Sequence, residues 1–371
     1  MSGVAPILTT EQRDLAEAVG DLLVKRSPES EVRRLMADEA GYDHAVWAEL
    51  AEMGLTGLVI PEEYGGAGAG SVELGVVMEQ MGATLVCAPY LSTAVLAANL
   101  IVALADTNEC TEVLPRIAAG DLIATVAFAE PGSARPPEES RTTARPDGSG
   151  WRLSGAKTFV LDAMTAQRLY VTAGSEIFAV ERGAPGLTVT PLATVDQTRK
   201  QGHLTLSDTP ARLVGAAGAG AAALDEALDR ASVALLGEQA GAAMRAMEMS
   251  TDYARTRFQF GRAIGSFQAV KHMCADMLLE AQSALSAARH VAAAFDAADP
   301  DRYADLALAQ AYCSDSFVSV AAATIQVHGG IGFTWEHPAH LYLRRARTDA
   351  QLFGDPAWHR ERYVRLREAQ S

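Results

Sequence analysis

Residues 253–272 read YARTRFQFGRAIGSFQAVKH. The stretch carries three arginines, Arg255, Arg257 and Arg262, interleaved with Phe258 and Phe260. A Gly-Arg-Ala-Ile-Gly break follows, and Phe267-Gln268 open a new periodic run. Two long helical patterns therefore meet at a turn dense in cations and aromatic faces. Guanidinium forks match phosphate oxygens bidentately. A nearby ring and amide suit a ring system attached to that phosphate. By residue type alone the stretch reads equally well as a helical corner with solvated arginines.

The surrounding chain has 371 residues, enough for two or three domains and a sizeable core. Its 49% apolar and 21% charged residues are ordinary for a globular protein. A net charge of −15 argues against nucleic acid and against anionic membrane surfaces. Any phosphate site is then a local basic patch, and residues 255–262 form one. Cys87, Cys110, Cys274 and Cys313 make no CxxC pair and read as buried reduced thiols. No spacing of ligand residues reads as a metal site. No basic-then-apolar leader opens the chain and no apolar run reaches membrane-spanning length, so a soluble cytoplasmic protein is expected.

Helical periodicity dominates residues 9–120. Thr10 is the expected N-cap of a helix over residues 11–26. Residues 43–53 form a short helix stopped by Gly54. The Gly-rich stretch 61–70 lacks the Lys-Ser/Thr of a P-loop and reads as a connector. Apolar helices over 72–81 and 92–104 follow, and Pro115 and Gly120 close the region.

Between Leu122 and Pro210 lie seven prolines. Short β-rich runs at 123–129, 151–153, 158–161, 169–173, 177–180, 187–190 and 203–206 alternate with turns, which predicts a small antiparallel barrel or sandwich. Residues 131–150 are polar and Pro-rich and read as a surface loop. The Gly/Ala stretch 215–220 is a natural boundary. Beyond it run a helix over 224–258, a second with Phe267, Val270, Cys274, Met277, Ala281, Leu285, Ala288, Ala292 and Phe295 on one stripe, a third with Leu306, Ala309, Cys313, Phe317, Val320, Thr324 and Val327, and a fourth around 337–347. They predict an antiparallel four-helix bundle. Ala240, Gly241, Ala242 and Ala243 either allow close helix approach or leave room for a wide ligand.

Residues 326–333 read QVHGGIGF, ahead of Thr334-Trp335-Glu336-His337-Pro338. Combined with RxxFG…FQ…H at 257–272, this resembles the acyl-CoA dehydrogenase family, flavin enzymes that oxidise acyl-CoA thioesters between the α and β carbons. Residues 53–68, MGLTGLVIPEEYGGAG, look like the family's N-terminal signature, and the order along the chain agrees. The resemblance implies an α+β acyl-CoA dehydrogenase-like fold. Its parts are an N-terminal helical domain (1–120), a middle β-barrel or sandwich domain (121–217) and a C-terminal four-helix bundle (218–371). It implies FAD as cofactor, an acyl-CoA substrate and an electron-transfer acceptor protein.

In this family one flavin is shared by two subunits. The partner-facing residues match: Arg257 for the pyrophosphate, Phe260 and Gln268 for the aromatic and amide contacts, and Gln326, Gly329 and Gly330 for the second phosphate-side segment. Arg255 and Arg262 read as surface or interface charges, and His272 and His328 as structural histidines on apolar helical faces. The own-chain half departs from the pattern. Where the family reads V-T-E-P-G-A-G-S-D, residues 128–135 read FAEPGSAR, with Ala129 in place of a threonine. Where it reads G-x-K-x-W-I-T-N, residues 155–162 read GAKTFVLD, with Phe159 for the tryptophan and Leu161 for a second threonine. Alanine and leucine donate no side-chain hydrogen bond.

The family's catalytic base falls, by ungapped counting, at Phe353 or Ala231, and neither ionises. Glu238 and Asp229 are the alternative carboxylates. The resemblance therefore points to the base-lacking subunit of a bacterial heterotetrameric (α2β2) enzyme with two flavins, a branch that handles bulky, steroid-like side chains. The alternatives are a self-sufficient homotetramer with Glu238 or Asp229 as a displaced base, and a catalytically dead acyl-CoA-binding scaffold.

Overall fold

A computed structural model describes residues 8–137, 139–148 and 150–369. In chain order these fold as α1 (Thr10–Arg26), α2 (Glu29–Ala37), α3 (His44–Glu52), α4 (Ser71–Ala83), α5 (Ala98–Leu104) and α6 (Thr107–Ala118). Seven strands follow: β1 (Ala124–Ala127), β2 (Thr143–Asp147), β3 (Gly150–Leu161), β4 (Arg168–Ala173), β5 (Glu176–Glu181), β6 (Leu187–Pro191) and β7 (Gln201–Val214). Then come α7 (Gly220–Thr256), the ribbon β8 (Phe258–Gln259) and β9 (Arg262–Ala263), α8 (Gln268–Asp296), α9 (Arg302–His328), α10 (Ala339–Asp349) and α11 (Pro356–Glu368). The chain divides into two compact units. One comprises the residues up to Arg33, Gly70–Val86 and those from Ser232 onward; the other comprises Arg34–Ala69 and Cys87–Ala231.

Local chemistry sets the helix ends. The cap of α1 is Thr9, one residue before the expected Thr10. The Gln12 N–H donates to Thr9 Oγ1 at 3.2 Å, and Gln12 Oε1 accepts from the Thr9 N–H at 3.0 Å. That capping box requires Gln at the third helical position, which Arg13 could not supply. Asp43 caps α3, and Gly54, at φ 76°, ends it as expected. Pro115 does not close a helix: α6 runs through it to Ala118, and Gly120 at φ 76° makes the stop. Residues 90–97 form π-helix ahead of α5.

In the second unit, the sheet has the order β1-β4-β5-β7-β3-β2, with β6 also on β7. Five pairings are antiparallel, as the predicted small barrel or sandwich requires, and β1 lies parallel to β4, which makes the sheet mixed. Runs 151–153 and 158–161 are one strand, β3, broken by a register shift between Lys157 and Val160 that places Phe159 at φ 53°. Thr143–Asp147 is a strand despite Pro146; Pro146 faces Trp151 in an edge pairing, where a missing N–H is tolerated.

In the first unit, α4 crosses the part of α7 beyond Ser232 backbone to backbone. A Cβ on Gly82 would lie 2.0 Å from the Glu238 carbonyl, one on Gly241 1.9 Å from that of Glu79, and one on Gly237 2.6 Å from that of Gly75. Residues 240–243 are all buried, so the small residues serve helix approach rather than a cavity. The Ser71 and Val72 N–H groups at the start of α4 donate to Asp296 at 2.6 and 3.0 Å, tying α4 to the end of α8. The stripe of α9 is buried as read, from Leu306 to Val327. By length and composition Arg302–Phe333 passes as a membrane-crossing helix, with mean hydropathy 1.2, which sequence reading had not registered. Its apolar side is the centre of the bundle, with Leu306, Ala309 and Cys313 packed among Val233, Leu236, Ala284 and Val291. A further helix, α11, packs on α9 beyond the four expected.

The stripe of α8 is half-buried at Phe267, Val270 and Cys274 and buried from Met277 onward except at half-buried Leu285; Leu278 and Leu279, off the stripe, are 43% and 67% exposed. Cys87, Cys110 and Cys313 are buried thiols as expected, whereas Cys274, on the first half of α8, is only partly buried.

Candidate cofactor site

The turn between α7 and α8 is a two-residue-per-strand ribbon. The Arg257 N–H donates to the Tyr253 carbonyl at 2.8 Å, and the Arg257 carbonyl accepts from the Ile264 N–H at 2.8 Å. Arg257 is thereby fixed by its backbone at both ends while its side chain is exposed. Gly261, at φ 78°, makes the reversal, and Phe260 beside it sits at φ 53° with 91% of its surface exposed. Few bulky residues take that conformation, and it holds the ring out from the fold. The Phe260 ring meets Phe267 edge-on at 6.1 Å, and the Arg262 guanidinium covers Phe267 at 4.1 Å. Gln268, the first residue of α8, is exposed. Arg255 lies 3.6 Å from Asp252, and His272 is exposed rather than packed on an apolar face.

The second segment follows α9. Gln326, Gly329 and Gly330 are exposed; Gly329 at φ 64° ends the helix, and nothing lies within 4 Å of a Cβ built on Gly330. Its backbone can therefore approach a ligand closely. His328 is buried, and its Nδ1 lies 2.7 Å from the Thr324 carbonyl. Burial lowers the His328 pKa, against the opposing effect of that bond; burial and then the neighbouring His328 lower that of His337. Sequence reading took His328 as a structural residue, and missed that its ring meets Tyr253 at 4.4 Å and His337 at 4.2 Å. Rings on the flanks of both motifs were the available signal.

The residues on the β-sheet side are of another kind. Ala129 and Leu161 are 2% and 4% exposed and offer no side-chain donor. Phe159 is 43% exposed at its positive φ. Between the two altered motifs, however, Lys157 and Glu130 form a fully buried pair at 2.8 Å. Lys157 Nζ also donates to Thr172 Oγ1 at 2.8 Å, and Glu130 accepts from the N–H groups of Arg141 and Thr142 at 2.9 and 3.0 Å. This pair holds the strands in place without any group suited to a flavin ring edge.

Neither residue expected at the base position has an ionisable side chain. Phe353 is 5% exposed at φ 61°, and Ala231 is fully buried on α7. Glu238 is 3% exposed and ion-paired with Arg345, itself 2% exposed. Asp229 is 8% exposed, one turn before Val233 on α7.

Two family profiles match the chain: "Acyl-CoA dehydrogenase, N-terminal domain" over residues 9–121 and "Acyl-CoA dehydrogenase, C-terminal domain" over residues 218–365. The chain belongs to the acyl-CoA dehydrogenase family. Acyl-CoA dehydrogenase IpdE2 of Mycobacterium tuberculosis is 33% identical over 348 residues, 93% of this chain and 94% of that protein. A solved structure described as a variant of the Tcur3481-Tcur3483 steroid ACAD superposes with a TM-score of 0.86 at 32% identity, covering 97% of this chain and 99% of the other. The ChsE4-ChsE5 complex of M. tuberculosis gives 0.88 at 29% identity, covering 97% of each chain. As an acyl-CoA dehydrogenase the chain is an oxidoreductase, and its family implies FAD as the cofactor.

The exposed Arg257, the open backbone at Gly329 and Gly330 and the projecting Phe260 fit the diphosphate and adenosine end of FAD. The residues at Ala129, Leu161, Phe353 and Ala231 do not fit its ring end or the proton-abstracting position.

Proposed function

We propose that this chain is the base-lacking subunit of a heteromeric acyl-CoA dehydrogenase, supplying the diphosphate and adenosine half of a shared FAD site. The observation that carries it is the pair Phe353 and Ala231: both positions for the base hold buried, non-ionisable side chains. α,β-Dehydrogenation removes a proton from the α carbon and a hydride from the β carbon of the thioester. FAD, when bound, supplies the hydride acceptor. The proton goes to a carboxylate of the partner subunit, since this chain offers none at either position. Electrons leave through an electron-transfer protein.

This chain's own part is to bind and orient. The Arg257 guanidinium neutralises the diphosphate. The open backbone at Gly330, just past the helix end at Gly329, approaches it, Phe260 covers the adenosine side, and Gln268 and Gln326 supply amide contacts. Exposed Phe260, Leu279 and Phe333, at 91%, 67% and 81%, support a surface that a partner covers. The two relatives described as a complex and as a paired steroid enzyme support an α2β2 assembly and a bulky, steroid-like acyl-CoA. We place the enzyme in the cytoplasm and divide it functionally at residues 120 and 217. Glu238 serves as the partner of Arg345 rather than as a displaced base.

The test is the visible spectrum and native mass of the chain alone and co-expressed with a family member that retains T-E-P-G-x-G-S-D and the base glutamate. The expected result is a flavin-poor lone chain and a yellow heterotetramer with two FAD that bleaches with acyl-CoA. A yellow, active homotetramer would overturn the half-site reading. A yellow complex that never bleaches would identify a scaffold instead.

A further inference from the structure

Tyr253 lies one helical turn before Arg257, and His328 immediately precedes Gly329. The two rings meet at 4.4 Å with an interplanar angle of 31°. His337 lies 4.2 Å from His328 and 6.5 Å from Tyr253, which makes His328 the middle member of the three. The bonds define the tautomers. His328 Nδ1–H donates to the Thr324 carbonyl, and the Nε2 lone pair, buried against rings, has no hydrogen-bond partner among the described residues. His337 Nδ1 accepts from the Ala339 N–H at 3.2 Å, so its proton is on Nε2. Two neutral imidazoles can stack; two imidazolium ions at this separation would repel.

The loop after His328 folds back on the same residue. A Cβ on Gly332 would come within 3.0 Å of His328 Cβ. Gly329 and Gly330, by contrast, meet nothing on their open side. The Gly329 N–H is held by the Ile325 and Gln326 carbonyls, and the loop beyond it returns to His328 at Gly332. The His328 ring touches Tyr253 in the last turn of α7, whose carbonyl holds the Arg257 N–H.

We propose that His328 is a positioning residue: its planar ring clamps the Gly329–Gly330 backbone to the end of α7, so that the two diphosphate-binding segments keep one spacing. This rests on the half-site reading for what the segments bind, but not for the clamp itself.

The test compares His328→Leu, which fills the space without a planar ring, with His328→Phe, which keeps one. In the lone chain, amide hydrogen exchange over residues 329–333 is expected to quicken in His328→Leu and to stay at the wild-type rate in His328→Phe. In the co-expressed complex stripped of flavin, FAD titration is expected to show about tenfold weaker binding for His328→Leu and a change of less than about twofold for His328→Phe. Unchanged exchange and affinity in His328→Leu, or equal losses in both variants, would overturn the clamp. Arg257→Met is the control for the underlying reading. If it leaves FAD affinity unchanged, the half-site assignment fails, while the exchange comparison still decides the clamp.

Discussion

Lys157 Nζ lies 2.8 Å from Glu130 Oε1, with the two side chains 0% and 2% exposed. The pair joins β3 to the segment after β1. Removing one partner of such a pair leaves an uncompensated buried charge, so Lys157→Met is expected to cost about 3–5 kcal/mol. Lys157→Met combined with Glu130→Gln retains an oxygen acceptor for the 141 and 142 amides and should cost less than Lys157→Met alone. Urea unfolding of the three variants against wild type checks the order.

Acid should reach the same pair. Burial raises the Glu130 pKa, but the bonds from Lys157 and from the Arg141 and Thr142 N–H groups outweigh it and hold the carboxyl at about 2, against 4.5 in an unfolded chain. A group depressed in the folded state stabilises above its unfolded value. Its contribution is therefore full above about pH 5 and is lost as pH falls toward 2. Thermal midpoints across that window should fall less steeply in Glu130→Gln.

His340 gives a second, separate window. Burial first, then Arg344 and Arg33, lower its pKa from 6.5 to about 4. Neither ring nitrogen has a hydrogen-bond partner among the described residues, and Trp335 packs edge-on at 4.6 Å. The unfolded chain binds the proton more readily, so stability falls as pH drops from 6.5 toward 4, by an amount on the order of 2 kcal/mol. His340→Leu should flatten unfolding free energies measured between these values.

Glu238→Gln separates a structural from a catalytic carboxylate. Glutamine next to buried Arg345 removes the charge of the carboxylate it pairs with, and a stability loss of about 2–4 kcal/mol is expected. The turnover number of the folded complex should not change. Loss of turnover with FAD still bound would instead make Glu238 the base.

Gly241→Ala drives a methyl into the Glu79 carbonyl, where the Cβ would lie at 1.9 Å. A loss of at least about 2 kcal/mol in denaturant unfolding is expected, because α4 and α7 must separate. Gly330→Ala meets no atom within 4 Å and should leave unfolding unchanged.

The long helices were legible because their apolar stripes are continuous: Leu306 to Val327 on α9 needed no other information. Where burial does not follow a stripe, the reading stopped. The sequence of α11, PAWHRERYVRLRE, buries only His359 fully and shows no apolar face. Pro146 concealed β2, since a proline argues against a strand unless its edge position is known. Parallel pairing of β1 with β4 is a long-range choice that alternation cannot encode. At the candidate site, the motifs around Arg257 and Gly329 could be quoted from the chain. The contact between Tyr253 and His328 could not, because 75 residues separate them and only the packing of α7 beside α9 brings the rings together.

The interlocked glycines of α4 and α7 carry a consequence for comparing relatives. Gly75 and Gly82 lie seven residues apart, about 10 Å along the helix axis. Contact at both ends of that interval fixes a direction as well as a distance, as two pins fix a ruler. A relative with glycine at positions 82, 237 and 241 can keep this crossing, whereas a Cβ at position 75 meets only Ala292 at 3.9 Å. One bulkier residue at any of those three positions makes α4 pivot away from α7. These three columns of an alignment therefore report helix geometry across the family.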